Sequence, residues 1–433
     1  MTSKTVYAGG EFTAVNGHAR SRLAAVTASS GALTKWVAKA NSGVNALLLT
    51  GGSKLLVVGG MFTKLNSTTA SGSGALSPAD GKTKTWKVNQ VVKNGGKSSA
   101  ILSLVTDGST VYDSGYTYGT GNFEGVYAAS STDGTLRWLQ DCHGDTYDVA
   151  VIGDVVYSVG HAHYCSNIGG FPDTSPRKAW YRALAVTKSA AGTVAKNGQT
   201  SAKTYTNFAG KAAPALINWF PDLTPGSYTG MTQSAWSVVG NGTYVALGGE
   251  FTKVNGTAQQ GLVRMALPAK APGKMGPVDK SSATTPKAVL RADGSVAVSW
   301  LANWDRDDLR LTYRLDRNGV VINTQTSTAP FWGRPMLTFV DTGSVATGAS
   351  TARYTVTASD RDGNAVTTAG VAVALPTATA TATATPSTPA SPSADPRVAA
   401  GSTAAGAGST EPSRESTTTE PSSESTTSEP TTP

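Results

Sequence analysis

The stretch GGEFTAVNG at residues 9–17 is written twice more with small changes, as GGMFTKLNS at 59–67 and as GGEFTKVNG at 248–256. In the first copy, TVYAGGEFTAVNG, Val6, Tyr7 and Ala8 read as a short β-strand. The paired glycines mark a bulge, or a point where two backbones come too close for a Cβ. Phe12 returns an aromatic ring to a core, and Asn16-Gly17 signals a turn because both residues tolerate positive φ.

The flanks repeat as well. LAAVTASSGALTKW (23–36), GALSPADGKTKTW (74–86) and GVYAASSTDGTLRW (125–138) each read as two strands around a turn, closed by Trp36, Trp86 or Trp138. A looser copy begins at YRALAVTKSAAGTV and closes at Trp219 after an insertion at about 190–213, and GLVRMAL at 261–267 supplies only a first strand. Apolar strands precede each phrase, and equivalent strand ends fall near Gly9, Gly59, Gly115, Gly160 and Gly248. A period near 40–50 residues with four short strands per unit is the pattern of β-propeller blades. About five blades are visible, the N-terminal one incomplete, with Phe12, Phe62, Phe251 and the tryptophans as filling between them.

The G-G-x-F-T-x-[VL]-N-G phrase followed by a Trp-ended hairpin resembles the delta-sixty-type β-propeller repeats, common in secreted or surface proteins of high-GC Gram-positive bacteria. The resemblance covers residues 1–268. Ser67 replaces the final glycine in one copy, and GYTYGTGNF and GHAHYCSN depart from the phrase around Gly115 and Gly160. Met1 lies a few residues before the second strand of a blade, so the native frame is expected to begin upstream, with a signal peptide and another blade; no apolar leader is visible in MTSKTVYAGG.

Composition agrees with an all-β chain. Of 433 residues only 15% are charged, 48 are glycine, and no apolar run approaches the ~20 residues of a membrane span. The net charge is +8, but residues 376–433 hold six acids against Arg397 and Arg414, a local −4, which leaves +12 on residues 1–375. That surplus is scattered, without a basic cluster interleaved with aromatics, so nucleic acid is not an expected partner.

After a Pro/Gly/Lys linker at 269–286 the pattern changes. Residues 287–375 carry about seven short strands, around turns such as Ala292-Asp293-Gly294 and Arg317-Asn318-Gly319. That is the scale of a β-sandwich. Trp300 on an early strand and Tyr354 on a late one, with WDRDDLRLTYRLDRNG, resemble a fibronectin type III-like or immunoglobulin-like module. From 376 to 433 the Thr/Ser/Pro-rich tail lacks the apolar residues to offset the entropy of ordering and reads as disordered.

The densest polar cluster is CHGDTYD (142–148) with GHAHYC (160–165), which holds three of the four histidines. The favoured reading is a disulfide between Cys142 and Cys165, which suits a secreted setting. The competing reading is a metal site: His161 and His163, two apart, share a face if they lie on a strand, and His143 or Asp145 completes a three-ligand set. Other signals are weaker. NWDRDDLRLTYR (303–314) begins like a calcium loop, but Asp308 stands where glycine is required and Arg314 where the bidentate Glu belongs. DRDGN (360–364) reads as a hairpin turn. Tyr116, Tyr118 and Trp332 are candidates for stacking on sugars. No cofactor is implied. The resulting expectation is a monomeric, secreted or cell-surface binding protein for an extracellular polysaccharide or a protein; the alternative is an extracellular glycan lyase or hydrolase using His143, His161 and His163.

Overall fold

In the computed structural model the described residues are 1–376, apart from 177–178, 200–204, 268–269, 272–274 and 345–347. The tail expected to be disordered, except for Pro376, therefore lies outside the described residues. The described chain is all-β: strands, four single 3-10 turns and no α-helix. Among the described residues no helix is long and apolar enough to cross a membrane.

The described residues of 1–267 build five main antiparallel sheets in chain order, besides three small ladders in the phrase loops: Ala14–Val15 with His18–Ala19, Lys64–Leu65 with Thr68–Thr69, and Leu223–Thr224 with Lys253–Val254 and Thr257–Ala258. Sheet 1 pairs Thr5–Gly9 with Leu23–Thr27. Sheet 2 is a meander of Val44–Leu49, Leu56–Gly60, Ser73–Leu76 and Thr83–Lys84. Sheet 3 runs Ser99–Thr106, Thr110–Thr117, Gly125–Ser130 and Leu136–Gln140. Sheet 4 runs Thr146–Ile152, Val155–Ala162, Tyr181–Thr193 and Ala212–Leu216. Sheet 5 has three strands, Ala235–Gly240, Tyr244–Gly249 and Leu262–Ala266. Each sheet packs on the next through their first strands, sheet 1 through Thr5–Gly9. The strand Tyr181–Thr193 runs into the stretch read as an insertion from residue 190, so the irregular part starts later than the sequence suggested.

Strand periodicity explains the stacking. Side chains alternate between two faces, and here both faces are covered. In Leu56–Gly60, Leu56 and Val58 join Leu23, Ala25, Trp36 and Phe62 between sheets 1 and 2. Val57 turns the other way, to Ile101, Val111 and Tyr127 between sheets 2 and 3. Tyr112, Val126, Ala128 and Trp138 then meet Val149, Val156 and Val186, and Tyr157, Val159 and Ala185 meet Val238, Val245 and Leu247. Phe62 and Phe251 are fully buried in such interfaces. Phe12 is only half-buried.

The paired glycines have a common explanation. In sheets 2 to 5 the first strand carries one extra residue, Asn45, Leu102, Tyr147 or Trp236, and the pairing register shifts there. Opposite the residue before each bulge stands Gly60, Gly115, Gly160 or Gly249. The bulge presses the two backbones together: a Cβ on Gly60, Gly160 or Gly249 would overlap the carbonyl oxygen of Gly43, Asp145 or Ser234. The structurally equivalent glycine is thus the second of each pair, one residue later than the sequence spacing placed it at 59 and 248. The asparagines of the three phrases are left-handed, with φ of 49° and 50° in the Asn-Gly turns at Asn16 and Asn255 and 52° at Asn66, which Ser67 follows.

The closing tryptophans tie one sheet to the next. Trp36 donates its indole N–H to the Ser77 carbonyl at 3.0 Å, and Trp138 donates to the Lys188 carbonyl at 2.8 Å. Trp86 lies against Gly134 in the outer turn of sheet 3. Each buried ring contributes roughly 4 kcal/mol of transfer free energy. Trp219 is half-buried and meets Tyr157 edge-on at 5.1 Å.

Residues 287–376 form two further sheets. One comprises Lys287–Leu290, Val296–Leu301 and Met336–Asp341; the other Arg310–Arg317, Val320–Thr328, Thr351–Ser359, Ala365–Thr367 and Val371–Ala374. They share a core of Val298, Trp300, Tyr313, Leu315, Tyr354 and Val356. Both aromatics singled out in the sequence, Trp300 and Tyr354, are fully buried there, and Tyr354 donates its hydroxyl to Asp341 at 2.8 Å. Part of the stretch read as a linker is pinned to these sheets: Val278 donates to the Trp304 carbonyl, and Asp279 pairs with Arg334 at 2.7 Å.

The pair Gly248 and Gly249 offers an internal control. A Cβ at Gly248 meets nothing within 4 Å, whereas one at Gly249 collides with backbone. Gly249→Ala is expected to cost about 1–3 kcal/mol and Gly248→Ala to be near neutral, as read from urea midpoints. Equal effects at both positions would contradict the account of the bulge.

Candidate functional site

Antiparallel meanders bring every second-to-third-strand loop, and every connector to the next sheet, to one end of the array. The GGxFT phrases, the 141–145 connector and the 163–180 loop all lie at that end. Cys142 follows the last strand of sheet 3, and Cys165 lies just past the second strand of sheet 4. They form a disulfide with Cα atoms 4.4 Å apart, and both residues are buried. Around it the connector and the loop zip together: His143 donates its N–H to the Tyr164 carbonyl at 2.9 Å, and His163 to the His143 carbonyl at 2.8 Å.

The three imidazoles do not meet at one point: the His143 and His163 rings are neighbours, with centroids 6.4 Å apart, and His161 faces other partners. His143, 1% exposed, stacks on Tyr205 with centroids 3.6 Å apart and on Tyr164 at 4.9 Å. Its Nε2 lies 3.8 Å from Asp141 Oδ2, and its Nδ1 meets Gln199 Oε1. His163 Nδ1 lies 3.2 Å from Asp173 Oδ2, and its Nε2 3.4 Å from the Tyr205 hydroxyl. His161 contacts different groups, with Nδ1 2.8 Å from the Tyr147 hydroxyl and Nε2 accepting from the Asp145 amide at 3.4 Å. The expectation that His161 and His163 share a face fails because the strand ends at Ala162, before the second of them. Among the described residues, His143, Asp145, His161 and His163 do not gather their ligand atoms within 4.8 Å; Asp308, Asp360 and Asp362 do. No family model matches this chain, and no curated protein matches it in sequence.

Asp141 is buried under this network, accepts from Asn167 Nδ2 at 2.7 Å, and has its carboxyl raised above the usual range, by burial first, with His143 opposing. Glu124, also buried, accepts the Gly144 amide at 2.8 Å.

Of the residues proposed to stack on sugars, Trp332 does not face solvent alone. It packs on Phe171, Phe220 and Phe331, with Tyr181 and Trp304 completing an aromatic junction between the repeat array and the two-sheet region. Arg306 crosses the same junction, donating to the Phe220 carbonyl at 2.9 Å. Tyr116 is half-buried. Tyr118 is 76% exposed, and the sequence did not single out its companions Tyr228, 96% exposed, and Trp180, 44% exposed. Those three are the exposed aromatic side chains among the described residues. All three lie on loops at the same end of the sheets, a signal that appears only once the strands fix which loops share an end.

Two outcomes follow from the buried network. Thiol titration of native protein finds no free thiol until reductant and denaturant are added, and the Cys142→Ser/Cys165→Ser double variant loses about 3 kcal/mol, the scale for a loop of this length. Asp141 with its raised pKa keeps its proton in the folded state at pH values where the unfolded chain has released it, so its contribution is present at low pH and lost as pH rises above about 4. Asp141→Asn should therefore remove a fall in unfolding free energy as pH rises above about 4, measured by chemical denaturation; an unchanged slope would remove this assignment.

Proposed function

We propose that the five stacked sheets are part of a delta-sixty-type β-propeller, that residues 287–375 are a fibronectin type III-like module, and that the protein is a secreted or cell-surface binder of an extracellular polymer, carbohydrate in the first instance, with no catalysis of its own. The common glycine-bulge step and the neighbour-to-neighbour packing of the sheets support the propeller reading. The disulfide suits an oxidising compartment.

One observation carries the binding function: Tyr118, Trp180 and Tyr228 project from loops at a single end of the array. Exposed aromatic faces stack on the C–H faces of sugars and on apolar protein surface alike. The histidines argue against the lyase or hydrolase alternative. A general base must reach its substrate's proton, whereas His143 and His163 are buried and each imidazole faces protein partners.

Co-sedimentation of the full chain with insoluble cell-wall polysaccharides tests this. Tyr118→Ala/Tyr228→Ala should weaken binding about tenfold, from roughly 0.7 kcal/mol per ring, with an unchanged circular dichroism spectrum because both rings are exposed. Undiminished binding by that variant would remove the aromatic face, and release of sugar products that stops in His161→Asn would establish the enzyme instead.

A further inference from the structure

A half-buried arginine without an acid partner stands beside the exposed aromatics. Arg182 lies at the start of the strand Tyr181–Thr193, two residues on from Trp180 and at the same end of the array. Its Nη1 donates to Gln233 Oε1, a neutral amide. Arg306, Arg317 and Arg334 are also half-buried, and each meets a carboxylate, of Asp222, Asp341 and Asp279 respectively. Among the described residues no carboxylate pairs with Arg182 in this way. Its Nε and Nη2 make no bond to the described chain and neither is a buried atom, so that edge of the guanidinium is open to solvent.

The loop that holds Arg182 also carries an exposed ring. Gln233 closes the stretch 226–233, its carbonyl accepting the Gly226 amide at 2.9 Å. Glu250, the acid of the third GGEFT phrase, staples the same loop. It accepts the amides of Thr229 and Gln233 at 2.8 and 2.9 Å and the Thr229 hydroxyl at 2.9 Å. Tyr228 projects from this loop. The bond from Arg182 to Gln233 therefore joins the segment bearing Trp180 to the loop bearing Tyr228. Burial is the first influence on the guanidinium and pulls its pKa below the usual range, while Tyr147 and Glu250 oppose it. Glu250 acts on Arg182 without pairing with it, because its oxygens are committed to the loop. A partly buried charge without a counter-ion is costly until one arrives.

We propose that Arg182 is the anion-pairing residue of the polymer-binding face, and that the polymer is an acidic polysaccharide whose uronic acid carboxylates it holds. This rests on the reading of Tyr118, Trp180 and Tyr228 as that face. With Nη1 held by Gln233, the open Nε–Nη2 edge presents two parallel N–H donors, the fork that takes a carboxylate bidentately. Aromatic rings stack on the C–H faces of sugars. The ligand that satisfies both carries its charge on a sugar ring. A polyol phosphate chain offers the charge without the ring face, and a neutral glucan offers the ring face without the charge. The net +12 of residues 1–375 adds a long-range attraction for such a polyanion. Gln233 and Glu250 act through Arg182 and are positioning residues.

Binding of the full chain to cross-linked polygalacturonate, and to the same gel after methyl esterification of its carboxyls, tests the site. The expected result is about tenfold tighter binding to the acid form. Arg182→Gln should bring acid binding down to the level of the ester and leave ester binding unchanged. Gln233→Ala frees the guanidinium without removing it and should lose part of the same preference; it replaces Arg182→Gln if that variant does not fold. Lys253→Gln removes an exposed cation from the phrase loop at the same end and should change acid binding by less than about twofold. Equal wild-type binding to acid and ester overturns the proposal, as does absence of binding to either gel. An equal loss in Arg182→Gln and Lys253→Gln also overturns it, since that signifies diffuse attraction. The aromatic face fails separately: undiminished ester binding by Tyr118→Ala/Tyr228→Ala, with the Arg182 effect intact, would remove the rings and keep the arginine.

Discussion

A bulged first strand pressed against a neighbour that has no Cβ is the constraint on which the repeat array depends. Gly60, Gly115, Gly160 and Gly249 each sit beside the step where an extra residue enters the ladder. The bulge increases local twist and redirects the strand, and in each sheet it occurs on the strand that faces the adjacent sheet. Bulge residues then communicate between sheets: Asn45 donates to the Ile101 carbonyl at 3.1 Å, and Tyr147 packs on Trp236 with centroids 4.5 Å apart. Asp148 continues the seam, accepting from Ser237 Oγ and the Val238 amide at 2.8 and 2.9 Å. Any larger residue at the glycine must undo either the strand pairing or this seam.

Much of this architecture was legible in the residues because it is local. Asn-Gly turns, apolar strands and Trp-ended hairpins are properties of ten-residue windows, and their recurrence supplied the spacing. The choice between the two glycines of each pair was not legible. Gly59 and Gly60 look alike in the chain, and only the ladder decides which one opposes the bulge. Phe12 carried the same phrase as Phe62 and Phe251 yet is less buried, since its burial depends on a neighbour rather than on its own sequence.

The polar clusters were legible to a lesser degree for a related reason. The pairing of Cys142 with Cys165 followed from two cysteines on adjacent segments. The fate of the imidazoles depended on where a strand ends and on Tyr205, Gln199 and Asp173, which come from an irregular stretch and a loop with no periodic signal. Likewise Trp332 reads as an isolated aromatic until the fold brings Phe171 and Phe220 to meet it. The acidic loops at 303–308 and 360–364 are separated by about fifty residues of chain, and no local motif announces that a pair of strands will join them.

The aromatic junction has a bearing on how the molecule comes apart. Phe171, which follows Cys165 in the chain, shares one apolar cluster with Cys142, Cys165, Phe220, Phe331 and Trp332. The covalent link therefore underlies the socket in which the later sheets are seated, and its influence does not stop at the loop it closes. A perturbation there touches both sides of the socket, because the side chains that line it come from the sheet array and from the two-sheet region alike.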